Sequence, residues 1–353
     1  VDFELLGFPV AKLAVTPTPF EGVPRFSERL GGPSIFLKRD DHTGLALGGN
    51  KARKLELLMG EALAQGADTV ITCGGPQSNH ARMTAAAARK LGLKPILVLD
   101  GEDPGVRQGN LLLDHLLGAE LVFSGERSSG ELLEEVASTV RARGGNPYVV
   151  PLGGSNALGA LAYMNCAEEI VNQSRAAGVS LKALYVPAGS VGTLAGIILG
   201  KVLFGAPFSV TGFAASPGAE AKVDRTLHLM TEAIKLLKSR AVPSVVERAV
   251  RPEYRDAFQR LINLDAEDLK HLVKIDDSQV GPGYGVPTEA GVEAIMLLAR
   301  TEGVLTDPVY TAKALAGLVK DIRSGMYATS DSVAFVHTGG VPADFAFSDV
   351  LTR

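Results

Sequence analysis

Lys51 is the side chain in this sequence best placed for covalent chemistry. It follows Leu47-Gly48-Gly49-Asn50 and opens the run Lys51-Ala52-Arg53-Lys54-Leu55-Glu56. The paired glycines predict a tight turn, Asn50 is a candidate cap, and the pattern beyond predicts a helix from Lys51 to about Gln65. An amine in the first helical turn meets the positive end of the helix dipole, which disfavours the ammonium form, and partial burial acts in the same direction. A neutral lysine amine is a nucleophile toward a carbonyl carbon. The plain alternative is a solvated lysine at a helix start.

Further turns could supply partners for that amine. In Gly74-Gly75-Pro76-Gln77-Ser78-Asn79-His80, Ser78 or Asn79 can cap a helix, and free backbone N–H groups there can hold a carboxylate. Four polar side chains at one strand end exceed what capping needs and suggest a ligand. Pro187-Ala188-Gly189-Ser190-Val191-Gly192-Thr193 offers small residues, two hydroxyls and exposed N–H groups, which suit a phosphate. It lacks the GK[ST] ending of a P-loop and the GxGxxG spacing of a dinucleotide turn. Gly153-Gly154-Ser155-Asn156 reads as a helix start capped by Ser155 or Asn156. Asp307-Pro308 reads as a cap with proline at the first helical position, followed by Tyr310 and Thr311. Tyr310 is either a packed aromatic or a site residue, and Tyr284, between two glycines, is harder to place in a core. Thr338, in His337-Thr338-Gly339-Gly340, either meets a ring nitrogen or caps a turn. No metal is expected, because the six histidines show no paired spacing. Cys73 and Cys166 read as buried small hydrophobes.

The elements that must hold these turns follow a regular alternation. Short apolar strands near 35–38, 69–73, 95–99, 120–123, 148–151, 183–186, 209–214 and 333–337 alternate with helical patterns, which predicts an α/β fold of βαβ units with parallel sheets flanked by helices. That many strands predicts two sheets. Ligands in such folds sit at the carboxyl ends of strands, which selects the turns after 35–38, 69–73, 183–186 and 333–337. Residues 1–33, with five prolines, read as an irregular arm. The segment 217–280 is charged and helical, with helices expected at 226–239, 252–261 and 266–272.

Composition narrows the classes. A net charge of −4 gives no basic stripe, so nucleic acid is not an expected partner. No apolar run reaches membrane-spanning length. No secretory signal is visible, although a chain that starts without Met leaves room for a removed leader. Two cysteines fit a reducing compartment, and a cytoplasmic location is expected.

Taken together, these stretches resemble the pyridoxal 5′-phosphate enzymes of fold type II, the tryptophan-synthase-β type. More narrowly, the chain resembles the family of 1-aminocyclopropane-1-carboxylate (ACC) deaminases and D-cysteine desulfhydrases. The matching stretches are Lys38–Asp41, Gly48–Glu56, Gln77–Arg82, Gly153–Leu161, Gly189–Thr193, Pro282–Pro287, Asp307–Tyr310 and His337–Gly340, in family order across nearly the whole chain. The resemblance implies that Lys51 holds the coenzyme covalently and that Asn79 bonds its ring hydroxyl. Lys54 and the turn of Ala188, Gly189, Ser190, Val191, Gly192 and Thr193 would take the phosphate, and Thr338 would meet the ring nitrogen. Gln77, Ser78, Asn79 and His80 would orient a substrate carboxylate. Tyr284, Tyr310 and Thr311 would face the substrate, with Ser78 or Tyr310 assisting proton transfer. A small domain of about 55–164 would be inserted into a large one of 1–54 and 165–353, and the family implies a homodimer.

Two positions discriminate within the family. The cyclopropane deaminases carry glutamate where this chain has Thr311 and leucine where it has Thr338, so both positions resemble the desulfhydrase pattern. A hydroxyl beside a pyridine nitrogen leaves that nitrogen unprotonated more readily than a carboxylate would, which makes a weaker electron sink. Such a sink suffices to expel a β-substituent from a small amino acid. The expected reaction is α,β-elimination from D-cysteine to pyruvate, hydrogen sulfide and ammonia. ACC deamination and the L-cysteate sulfo-lyase reaction are the alternatives. A non-catalytic binding protein would have lost Lys51 or the phosphate turn, and a nicotinamide dehydrogenase would need a GxGxxG turn.

Overall fold

The computed structural model describes residues 1–352. Ten strands are arranged in two sheets. In chain order they are β1 (Phe20–Gly22), β2 (Ser34–Arg39), β3 (Thr69–Gly74), β4 (Lys94–Leu99), β5 (Glu120–Phe123), β6 (Pro147–Val149), β7 (Ala183–Ala188), β8 (Ser209–Ala214), β9 (Ile275–Asp276) and β10 (Ser332–His337). The larger sheet has the order β1-β2-β10-β7-β8-β9 and the smaller β5-β4-β3-β6. All pairings are parallel except β1 with β2. The smaller sheet is drawn entirely from residues 69–149, between strands of the larger one.

The sequence explains the parallel arrangement. β3 (Thr-Val-Ile-Thr-Cys-Gly) and β7 (Ala-Leu-Tyr-Val-Pro-Ala) are buried at every position. Strands buried on both faces carry continuous apolar runs because helices cover both sides. Cys73 and Cys166 are unpaired and buried in this packing. Parallel pairing also puts the carboxyl ends of β7 and β10 on one side of the larger sheet, and the turn after β3 of the smaller sheet meets theirs at one cavity.

Several expectations shift. The arm over 1–33 contains β1 and a helix, Pro24–Leu30, started by a proline at its first turn. The helix expected from about 107 begins only at Asn110, because Gly109 has φ +57°. The single helix expected over 157–177 is two, Ala157–Leu161 and Met164–Ala176. In the charged segment one long helix, Ala219–Arg240, replaces the shorter one expected, and Pro243–Ala249 adds another. Charged side chains on its outer face hid the periodicity of Leu229, Met230, Ala233, Ile234 and Leu237, which are buried. No helix among the described residues is long and apolar enough to cross a membrane.

Candidate active site

A cavity of about 270 Å³ lies where the two sheets' strand ends converge. β3 supplies Gly74 and the turn after it leads to Gly75, Ser78, Asn79 and His80; β7 leads to Gly189, Ser190, Val191 and Thr193; β10 leads to Thr338. Lys51, Lys54, Tyr284 and Tyr310 complete the predicted set on its walls. A larger space of about 870 Å³ opens beneath the N-terminal arm. Arg53 on its wall is engaged by Glu169 at 2.7 Å, and no strand ends converge there.

Lys51 starts its helix as expected, Lys51–Ala64. Asn50 does not cap that helix with its side chain. Its amide instead bridges the cavity floor: Lys51 Nζ donates to Asn50 Oδ1 (2.8 Å), and Asn50 Nδ2 donates to Thr193 Oγ1 (2.9 Å). The amine is therefore one side chain away from the turn after β7. Burial pushes the Lys51 ammonium down to about 8, with nearby Arg82 adding to the shift and Asp307 opposing it. Desolvation is the largest cause, and it leaves this amine neutral at mildly alkaline pH.

The turn ahead of Lys51 is held against its own preference. Ala46, Leu47, Gly48 and Gly49 have φ of 42°, 68°, 71° and 130°. A left-handed conformation costs a non-glycine residue about 1–2 kcal/mol. The fully buried Arg82 offsets this by donating to the carbonyls of Ala46 and Gly48. Arg82 was not among the expected site residues, since its role lies in the backbone it holds.

One end of the cavity is built for an anion. Lys54, fully enclosed, donates to Gly153 O and Ser155 Oγ, both at 3.1 Å. Ser155 Oγ also meets Ser190 Oγ at 2.7 Å and accepts from Gly192 N at 3.3 Å. The helix Gly192–Phe204 starts here with no side-chain cap, so its first N–H groups and positive dipole end face the same spot. A Cβ at Gly192 would lie 2.6 Å from Ser155 Oγ and 3.1 Å from Lys54 Nζ, and one at Gly189 2.9 Å from the Tyr310 ring. Both positions need glycine for close approach rather than for backbone freedom. Burial, and the neighbouring Lys51 and Arg225, push Lys54 well below its ordinary range. An anion placed there would reverse that shift. Ala188 and Gly192 shape this turn without lining the cavity. Ser155 was read only as a possible cap. Asn156 is the cap, accepting from Gly159 N at 2.8 Å, which frees Ser155 for the anion end.

The opposite end carries hydroxyls. Tyr284 and Tyr310 meet OH to OH at 2.5 Å with rings edge-to-face. Burial raises the pKa of both, and that of Tyr310 well above its ordinary value. Lys51 Nζ lies 6.0 Å from the Tyr310 ring centre. Ser78 caps the helix Asn79–Lys90 through Ala81 N (3.2 Å) and still borders the cavity. His80 meets Thr72 Oγ1 at 2.8 Å, and that hydroxyl donates to Val150 O, so the ring nitrogen Nε2 carries hydrogen. Burial and the two nearby lysines keep His80 neutral.

Two expected substrate residues are placed elsewhere. Gln77 does not line the cavity: its Nε2 donates to Gln108 O (3.1 Å) and its Oε1 accepts from Asn110 N (2.8 Å). Thr311 does not line it either. Its hydroxyl donates to Asp307 Oδ1 at 2.6 Å, while Asp307 accepts from the N–H groups of Val309, Tyr310 and Thr311. Asp307 thus organises the turn ahead of the helix Thr311–Arg323, whose cap position is Tyr310, and Thr311 is tied to that turn. The helix begins three residues later than expected because Pro308 sits in the preceding turn.

The wall also carries polar side chains outside the expected set, and a buried lysine acts on it from behind. Asp100, at the end of β4, and Ser216 line the cavity. Lys313, buried, donates to Val280 O and Gly283 O at 2.8 Å each and fixes the loop that carries Tyr284. Nothing in its local sequence marks Lys313; only the distant carbonyls it meets do.

A buried amine beside a glycine-lined anion cradle, at converging strand ends of two parallel sheets, defines a lysine-based α/β enzyme that takes a phosphorylated carbonyl group. Residues 11–339 match the pyridoxal-phosphate-dependent enzyme family, and the chain belongs to it. Among solved structures it is similar to an ACC deaminase homologue, at 37% identity over 99% of this chain and 98% of the other, with a TM-score of 0.83. The processed form of threonine deaminase isoform 2 from Solanum lycopersicum (18% identity, 99% and 86% coverage, TM-score 0.66) shares the fold. So does a fungal L-serine ammonia-lyase from Rhizomucor miehei (20%, 97% and 99%, 0.64). The fold is that of type II pyridoxal-phosphate enzymes, and the coenzyme is pyridoxal 5′-phosphate. The residues present fit it: an amine for the aldehyde, and a Lys54–Ser155–Ser190 cradle whose glycines leave room for phosphate.

Proposed function

We propose that the chain eliminates a β-substituent from a small amino acid, with D-cysteine the preferred substrate. Pyridoxal phosphate supplies the electron sink that lets a Cα–H bond of a bound amino acid break. Lys51 would hold the coenzyme, Lys54 with residues 188–193 would take its phosphate, and Asn79 and Thr338 would face its ring. The remaining chemistry belongs to the side chains.

Lys51 Nζ, as a free amine, would take the α-proton. Its pKa near 8 suits a base at neutral to alkaline pH. The Cβ–S bond then breaks with its electron pair on sulfur, and the sulfur leaves as hydrogen sulfide. Tyr310 keeps its proton because burial disfavours its phenolate, so with its partner Tyr284 it serves as a proton donor to the leaving group rather than as a base. Ser78 and the N–H groups beside it orient the carboxylate. Water converts the released 2-aminoacrylate to pyruvate and ammonia. The net change is cysteine plus water to pyruvate, hydrogen sulfide and ammonia.

The observation that carries the elimination reading is the hydroxyl pair 2.5 Å apart on the wall that Lys51 faces. The choice of thiolate over sulfonate rests on charge. Apart from Lys51 and Lys54, no lysine or arginine lines the cavity among the described residues, and Asp100 does. A sulfonate leaving group would meet a carboxylate without a matching cation. ACC deamination is the second reading, favoured by the 37% identical ACC deaminase homologue. Against it stands the lack of a carboxylate at position 311, where a threonine bound to Asp307 stands clear of the cavity. We further propose a homodimer, in line with the family resemblance, to be checked by sedimentation.

A substrate panel tests the reading: D-cysteine, L-cysteine, β-chloroalanine, L-cysteate, D-serine and ACC, scored for pyruvate or 2-oxobutyrate. Pyruvate formed fastest from D-cysteine is the expected result. Fastest turnover of ACC to 2-oxobutyrate would replace it with the second reading.

A further inference from the structure

Asn79 lines the cavity, yet its own backbone does not determine which end of its amide points inward. That choice is made by a residue from another helix. Asn110 is fully buried at the start of the helix Asn110–Leu116 and does not touch the cavity. Its Nδ2 lies 2.9 Å from Gln77 O and 2.9 Å from Asn79 Oδ1.

The hydrogen-bond logic has one solution. Gln77 O is a backbone carbonyl and can only accept, so the Asn110 atom facing it must be the NH2 group. The same NH2 group faces Asn79, so the Asn79 atom there must be its oxygen. The Asn79 NH2 is thereby turned away from Asn110. Meanwhile Asn110 Oδ1, buried, has no partner. A buried acceptor left unpaired is unfavourable, so the contact is kept for its donor side.

The surrounding contacts lock this arrangement. Gln77 Oε1 accepts from Asn110 N and Gln77 Nε2 donates to Gln108 O. Gly109 allows the approach: a Cβ there would lie 2.3 Å from Gln77 Oε1 and 2.9 Å from Pro342 O. Gln77, expected at the substrate, instead joins the turn after β3 to the start of the helix Asn110–Leu116.

We propose that Asn110 is a positioning residue that fixes the Asn79 amide with its NH2 toward the cavity, making Asn79 an obligate donor to an oxygen of the bound coenzyme. This rests on the reading that Asn79 faces the coenzyme ring hydroxyl. In Asn110→Asp the donor is lost and two acceptors oppose Gln77 O and Asn79 Oδ1, so the Asn79 amide turns over and presents oxygen to the cavity.

The test is equilibrium titration of the apoprotein with pyridoxal 5′-phosphate, followed by tyrosine fluorescence and by visible absorbance. It is run on wild type, Asn110→Asp, Asn110→Ser, Asn79→Ala and the double variants. Asn110→Asp is expected to weaken binding about tenfold, and Asn110→Ser, which keeps a hydroxyl donor, about threefold. Both effects should vanish in the Asn79→Ala background. They should also vanish for 3-deoxypyridoxal 5′-phosphate, which lacks the ring hydroxyl. If Asn110→Asp does not fold, Asn110→Ser carries the test alone. Equal losses with and without Asn79, or with both coenzymes, would overturn the proposal and leave Asn110 a packing residue. An Asn79→Ala protein that binds both coenzymes like wild type would instead overturn the underlying placement of Asn79.

Discussion

The two ends of the cavity are built on different physics. The anion end is backbone and buried: Lys54, Ser155 and Ser190 bond one another, and glycines at 189 and 192 let a helix start approach them. The hydroxyl end is side chain and loop. Tyr284 is 46% exposed, and its loop is held by Lys313 from a helix behind it. An anchor made from strand ends and N–H groups depends on the whole fold and has little freedom to change. A wall made from two tyrosines on separate loops can change with few consequences for the core. We take this as the reason that coenzyme binding is shared across the family while the reacting substituent is not.

That contrast can be broken at either end. Lys51, which joins the two, carries the largest effect. Lys51→Ala should lower turnover by about 10³-fold or more and abolish the visible absorbance of the lysine-bound coenzyme, measured on the purified protein. At the hydroxyl end, Tyr310→Phe should lower kcat by about 100-fold with coenzyme affinity unchanged, and Tyr284→Phe by less. At the anion end, Lys54→Met should do the converse. Loss of a charge-assisted bond of about 1.5–3 kcal/mol weakens coenzyme binding roughly 10- to 100-fold, while kcat at saturating coenzyme stays within a few-fold. A Lys54 variant that loses kcat but not affinity would erase the division between the ends.

Acidity sharpens the same division. The Lys51 amine, with its pKa lowered to about 8, is neutral above that pH and protonated below it. The rate at which apoprotein captures pyridoxal phosphate should therefore rise about tenfold per pH unit up to pH 8 and level off above it. A rise that continued to pH 10 would mean a solvated lysine. The smallest effect belongs to Thr311. Thr311→Val removes a bond to Asp307 and should cost about 1 kcal/mol in stability, read as a lower Tm, while leaving KM for D-cysteine unchanged. A large change in KM would return Thr311 to the substrate wall.

Much of this arrangement is legible in the chain before any coordinates. Glycine turns after apolar runs locate the strand ends, and the parallel order follows from strands such as β7 whose runs are continuously apolar. Lys51, Lys54, Asn79, Tyr284, Tyr310 and Thr338 are all brought to one cavity. What is not legible depends on distance in sequence. Ser155 and Asn156 are equally good caps on paper, and only Ser190, thirty-five residues on, decides between them. Gln77 and Thr311 are polar residues in the right turns whose partners, Asn110 and Asp307, claim them first. Arg82 and Lys313 act on carbonyls far along the chain, so no local pattern marks them. The full length of the helix Ala219–Arg240 is obscured for a different reason: its outer charges dilute the apolar stripe.

The central claim is that a single amine carries the coenzyme. Incubation of the apoprotein with pyridoxal 5′-phosphate, reduction with borohydride, and peptide mass mapping tests it directly. The account predicts one phosphopyridoxyl group per chain, on Lys51, and none in Lys51→Ala. Stoichiometric labelling of Lys54 or of another lysine, with Lys51 unmodified, would contradict it.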